Sequence, residues 1–199
     1  MERFLGLASV LLSISFIWPQ VWRSLRHNTT HGISPFGLVH GLIGATLWLS
    51  YGIHERIAPV AIANTSFLTA QSLIIYVAYK NGHIERRVIS GAYLVVVAIL
   101  VFVTPLPESL IGITAVCISG SAIIPQFIHV LRTDNLHGIS LTSYTLTIIT
   151  CTVWLLYGFV ISDFMISAQN FVAIPIMLFI THKAVSYTHL RAHETGRNL

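Results

Sequence analysis

Charge is what this sequence has least of. Only 9% of its 199 residues are Asp, Glu, Lys or Arg, against 54% apolar residues and a mean hydropathy of +0.76. A water-facing domain carries roughly 25% charged residues. The chain is therefore read as an all-α polytopic membrane protein. Cysteine is scarce too. Cys117 and Cys151 sit in apolar runs without CxxC spacing, which argues for small packing residues over a disulfide or metal ligands. The seven acidic residues, Glu2, Glu55, Glu85, Glu108, Asp134, Asp163 and Glu194, fall at segment ends, in loops or in the tail. Proton-coupled carriers usually hold a titratable group inside the membrane. The one such group is His40, and its position in the repeat described below is matched by Leu146, so a hydrogen-bonded structural role is expected for it. No nucleophile–base pair or metal-ligand spacing is visible, and neither enzyme activity nor a cofactor is expected. A pI near 9.3 does not imply nucleic acid as a partner, because the basic residues lie in short loops between apolar runs.

What the sequence does have is a duplication. Shifted by about 106 residues, Pro19-Gln20 returns as Pro125-Gln126 and His31-Gly32-Ile33-Ser34 as His137-Gly138-Ile139-Ser140. Trp48-Leu49, Tyr51-Gly52 and Asn64 return as Trp154-Leu155, Tyr157-Gly158 and Asn170. Hydrophobicity alone would not repeat Pro-Gln, His-Gly-Ile-Ser or a single Asn at one constant offset. The repeat decides the fold.

Seven apolar segments are expected, at about Phe4–Val21, Pro35–Ile53, Ile57–Tyr79, Val88–Thr104, Ser109–Leu131, Leu141–Ile161 and Phe164–Thr181. Each is close to the ~20 residues with which a helix crosses the hydrocarbon layer. Lipid offers no partner to an open strand edge, so helices are the choice. The loops after segments one, three, five and seven hold Arg23, Arg26, Lys80, Arg86, Arg87, Arg132 and Lys183, while Arg3 and Arg56 face the other side. This bias places the N-terminus outside and the C-terminus in the cytoplasm, in a multi-pass protein of the plasma membrane. A three-helix repeat has an odd number of crossings. One extra crossing restores parallel orientation to the second copy, which gives the plain fourth segment its reason. The expected organisation is a first three-helix repeat over residues 1–82, a linker helix over 83–107, a second repeat over 108–183 and a polar tail over 184–199. The tail lacks an apolar helical period, and 185–195 resembles translated adapter sequence. It is set aside here, with His189 and His193. The first segment lacks a basic leader and a cleavage site, so no removable signal peptide is expected.

With Pro19-Gln20, Trp48, Tyr51-Gly52 and Asn64 all duplicated, the chain resembles the PQ-loop transporters, and among them the SWEET and SemiSWEET sugar transporters. The resemblance covers residues 4–182. It implies two parallel three-helix bundles joined by a linker helix (3-1-3), related by a pseudo-twofold axis along the membrane normal, an arrangement for which the SWEETs are themselves a standing example. It also implies a sugar as the small-molecule partner, and the lack of an acidic residue inside a span makes facilitated diffusion (uniport), by alternating access, the expected mechanism. The bilayer is the other partner, and a homo-oligomer is compatible with the sequence.

The candidate binding residues are Trp48, Asn64, Trp154, Asn170, Gly44 and Thr150. Gly37, Gly41 and Gly44 share one helical face with Trp48, as Ser143, Thr147 and Thr150 do with Trp154. Small residues allow close helix approach and leave room for a ligand beside the indole. An aromatic face stacks on the C–H face of a sugar. A repeated Asn well inside a helix needs a task, and its amide suits neighbouring hydroxyls. Against this stand an interfacial belt role for the tryptophans and interhelical bonding for the asparagines. Pro19 and Pro125 are expected to interrupt helices one and five, and with Pro35, which starts helix two, they are hinge or gate candidates, with Gln20 and Gln126 as partners for the carbonyls a proline frees. The family's four-proline set is broken here, since Leu141 stands at the fourth place. Ser34 and Ser140 are expected N-caps. The alternatives are a proton-coupled PQ-loop carrier of amino acids or other small solutes, or a non-transporting membrane receptor on the same fold.

Overall fold

A computed structural model describes residues 1–197 apart from 32, 134–135 and 137–139, with the backbone only for 187–197. His137, Gly138 and Ile139 of the second His-Gly-Ile-Ser copy therefore lie outside the described residues, as does Asp134, which the sequence sets beside Arg132 as a solvated loop pair. Among the described residues there is no strand, and seven helical spans are long and apolar enough to cross a membrane.

The chain divides into two compact units, Met1–Ala122 and Ile123–Leu199. The first holds α1 (Glu2–His27), α2 (Pro35–His54), α3 (Ala58–Lys80), α4 (Arg86–Ala98), which continues as a π-helical turn over Ile99–Val103, and α5 (Glu108–Ser121). Its core is made by Ile17 and Val21 of α1, Leu38 and Leu42 of α2, and Ala70, Ile74 and Ala78 of α3. The linker α4 adds Ala92 to this core, and its Tyr93 hydroxyl bonds Ser72 Oγ on α3 at 2.7 Å. At its far end Thr104 Oγ1 donates to Ser50 Oγ on α2 at 2.9 Å. Side-chain bonds also close the other end of the unit. Asn28 and Asn81 bond each other, and Thr30 meets His83 Nδ1 at 2.7 Å.

The second unit holds α6 (Ile124–Arg132), α7 (Leu141–Val160) and α8 (Phe164–Arg197). Val130, Leu136, Ile180 and Ala184 form its buried cluster. Lys183 Nζ donates to the carbonyls of Val130 and Thr133, at 2.7 and 3.0 Å, and so caps the end of α6.

Local chemistry sets the helix ends. Ser34 Oγ accepts from Gly37 N and Ser140 Oγ from Ser143 N, both at 3.3 Å, so both expected N-caps are present. Asp163 Oδ1 caps α8 by accepting from Ile166 N at 2.9 Å. The turns after α2 and α7 are copies of each other. Ile57 N bonds Gly52 O, and Asp163 N bonds Gly158 O, both at 2.8 Å. Arg56 and Ser162, at φ 56° and 59°, occupy the left-handed position in each. This is the Schellman closure, here with residues that carry a Cβ.

Two expectations need correction, and the tail adds an observation. Pro19 does not interrupt its helix, since α1 runs unbroken through it to His27. The fifth expected span is broken, but before its proline: Ala122 and Ile123 form a turn, and Pro125 is the second residue of α6, where its missing N–H costs nothing. The tail is helical in backbone as far as Arg197. A helix already formed propagates at the cost of one residue for each new bond, and no proline stops it there.

Candidate functional site

The repeated residues build the same local arrangement twice, once in each unit. In the first, the Trp48 and Tyr51 rings meet edge to face, with centroids 5.5 Å apart and planes at 86°. In the second, Trp154 and Tyr157 do the same at 5.8 Å and 76°. The T-shaped geometry is the favoured one for aromatic pairs, and it fixes the plane of each indole. The glycine after each tyrosine brings the next helix in. A Cβ at Gly52 would stand 2.8 Å from Ala61 N, and one at Gly158 would stand 2.9 Å from Ser167 N. Only glycine allows this contact between helix backbones. Three residues further on stand the asparagines. Asn64 Nδ2 donates to Val60 O at 2.9 Å and Asn170 Nδ2 to Ile166 O at 2.8 Å. Both are half-buried. One amide hydrogen is thus held by the helix itself. The carbonyl oxygen and the second N–H of each amide remain for another partner.

Gly44 takes one of the two roles expected for the small face, close helix approach. A Cβ there would lie 3.3 Å from the Cβ of Ser119 and 3.5 Å from its Cα. The space a Cβ would take at Gly44 is filled by α5, so this glycine lets α2 and α5 approach closely. Ser119 also accepts the Trp48 indole N–H at 2.9 Å, and Trp48 is 9% exposed. Two residues on, Ser121 Oγ meets His40 Nε2 at 3.0 Å. Ser121 gives its own proton to Ile118 O at 2.7 Å, so His40 Nε2 is the donor of the pair. His40 also stacks against Phe36, at 5.7 Å between centroids. It is a hydrogen-bonded residue, as expected.

In the second unit, Thr150 is half-buried and donates to Leu146 O at 2.8 Å, which leaves its oxygen as an acceptor. Gln20 and Gln126 make no side-chain hydrogen bond among the described residues, so neither donates to a carbonyl freed by a proline. Pro35 opens α2 at a position where proline is tolerated.

Two residues escaped sequence reasoning. Ser119 was visible in principle, because Ser13 precedes it at the repeat offset, but serine is too common in apolar spans to stand out. Gln71, 6% exposed, donates Nε2 to Leu38 O at 3.2 Å and fills the notch left by Gly41. Its counterpart is Met177, so the repeat gave no signal.

Comparison with known proteins agrees with this duplicated geometry. The PQ loop repeat family matches residues 1–60, and the family described as sugar efflux transporter for intercellular exchange matches 109–192. The sugar transporter SemiSWEET of Leptospira biflexa is 32% identical over 84 residues, which cover 98% of that protein and 42% of this chain. The chain belongs to the SWEET and SemiSWEET family. The sugar transporter SWEET1 of Drosophila pseudoobscura is 25% identical over 182 residues, covering 82% of this chain and 80% of that one. The fold matches a eukaryotic SWEET transporter structure with a TM-score of 0.72 at 17% identity, over 94% of this chain and 99% of that one. As a SWEET-like PQ-loop protein with seven apolar helices, the chain is a multi-pass integral membrane protein.

Proposed function

We propose that this protein is a transporter of small sugars, working by facilitated diffusion through alternating access. Each repeat supplies one tryptophan and one asparagine for substrate binding. Trp48 and Trp154 stack on the sugar ring, and Asn64 and Asn170 bind hydroxyls through the amide groups that their own helices leave over. Thr150 adds an acceptor beside Trp154.

The observation that carries the reading is the doubled Trp–Tyr–Gly–Asn geometry. A single tryptophan near a helix end is adequately explained as an interfacial anchor. Two indoles with matched edge partners, matched glycine contacts and matched half-used amides are not. The relatives' names, sugar transporter SWEET1 and sugar transporter SemiSWEET, support the substrate class. The placement of Glu2, Glu55, Glu85, Glu108 and Asp163 at helix ends and turns supports passive transport over proton coupling. The break at Ala122–Ile123 ahead of Pro125 supports a hinge in the fifth span, with Pro19 and Pro35 as secondary points of adjustment. The basic loops support an extracellular N-terminus in the plasma membrane.

Purified protein in liposomes loaded with unlabelled sugar tests the function. Saturable counterflow of labelled glucose or sucrose is expected. Folded protein that exchanges neither sugar overturns the reading.

A further inference from the structure

The Trp48 indole has one hydrogen-bond donor, and that donor is spent on Ser119 Oγ at 2.9 Å. Ser119 can accept it because its own proton goes to Ala115 O on the same helix. The hydroxyl therefore presents its oxygen to the indole N–H. Ser119 also packs its Cβ into the notch at Gly44, one turn before Trp48 on α2. Tyr51 holds the ring at its edge from within α2. The indole is thus gripped in two directions, by an edge contact from its own helix and by a polar contact from α5.

Ser119 is also a repeated residue. Ser13 stands at the same offset of about 106 and donates to Ser9 O at 2.8 Å, the i−4 pattern that Ser119 follows with Ala115. The two acceptor residues, Ser9 and Ala115, are both fully buried. A serine kept at one place in both copies, with its proton spent the same way each time, is a prepared acceptor. In the first unit the group it accepts is the Trp48 N–H.

From this geometry we infer that Ser119 is a positioning residue for transport: it removes the indole N–H from substrate contact and sets the angle of the ring on which the sugar stacks. The inference rests on the binding role proposed above for Trp48. It adds that Trp48 offers the sugar an apolar face only, so that discrimination among hydroxyl patterns falls to the asparagine amides.

Indole-¹⁵N-labelled protein in detergent micelles, combined with counterflow in liposomes, tests this. The four tryptophans give four indole signals, and Trp48→Phe identifies the one that belongs to Trp48. Ser119→Ala is expected to shift that signal alone and to speed its hydrogen exchange. In transport it should raise the half-saturating sugar concentration about three- to tenfold, the scale of one hydrogen bond, while the rate at saturating sugar changes by less than about twofold. Ser119→Cys, similar in size and a weaker acceptor, should fall between wild type and alanine, and it carries the test if the alanine variant folds poorly. A Trp48 signal that stays in place in Ser119→Ala overturns the inference. So does a shifted signal with unchanged half-saturation. The proposed binding role fails separately, if Trp48→Phe itself transports with wild-type half-saturation.

Discussion

Gly52 and Ala61 bring two helices of the first repeat into backbone contact: a Cβ on Gly52 would stand only 2.8 Å from Ala61 N and 3.0 Å from Val60 Cγ1. Gly158 and Ser167 stand in the same relation in the second repeat, at 2.9 Å. This contact lies between Trp48 and Asn64 in one copy and between Trp154 and Asn170 in the other, and it seats the asparagine helix against the tryptophan helix. Gly52→Ala and Gly158→Ala should each destabilise the protein by about 1–3 kcal/mol, because the obstacle is main chain and cannot swing away. Thermal unfolding in detergent checks this. Unchanged midpoints would refute the close contact.

The turn that follows each of these glycines predicts a gain. Arg56 and Ser162 hold left-handed conformations at φ 56° and 59°. A residue with a Cβ is disfavoured there by about 1–2 kcal/mol, and glycine is not. Arg56→Gly and Ser162→Gly should therefore raise the unfolding midpoint, by the equivalent of about 1 kcal/mol after the added freedom of the unfolded chain. Proline at either position should lower it.

Gly41 and Gln71 predict a coupling. A Cβ at Gly41 would stand 2.5 Å from Gln71 Nε2, the far end of a flexible side chain. Gly41→Ala should displace that amide from Leu38 O and cost about 1 kcal/mol. With Gln71→Ala already in place, the same change should cost much less. A double-mutant cycle measures the difference, and additive costs would contradict the contact.

Sugar exchange should be nearly independent of pH. His40 sits in a span with its Nε2 donated to Ser121, and the described carboxylates that cap or border helices are at their ends. Exchange at about pH 5 and about pH 8, on either side of the usual histidine range, should differ by less than about twofold, and His40→Gln should retain it. A steep fall on one side, abolished by His40→Gln, would favour a proton-linked carrier.

The sequence was most informative where chemistry was written twice. Low charge and seven apolar runs announced the membrane, and the constant offset picked out Trp48, Asn64, Trp154 and Asn170. It was weaker wherever a role depends on which helix lies opposite. Gly44 reads the same in sequence whether a ligand or Ser119 fills its notch, because an absent side chain does not name its neighbour. Gln71 has no repeated partner, and a lone glutamine in a span announces nothing. The prolines misled for a related reason. Pro19 and Pro125 share the same Pro-Gln pair, yet the first lies inside a continuous helix and the second follows a break. Proline removes one bond and leaves the outcome to the packing around it.

The most direct test of the account is sugar counterflow by the Asn64→Ala, Asn170→Ala double variant, beside wild type, in liposomes with the protein shown to be folded. Each amide already gives one hydrogen to its own helix, at 2.9 and 2.8 Å, so removing it takes little from the fold and the remaining amide groups from the substrate. The account predicts saturable exchange in wild type and its loss in the double variant. Wild-type exchange in the double variant would contradict the site.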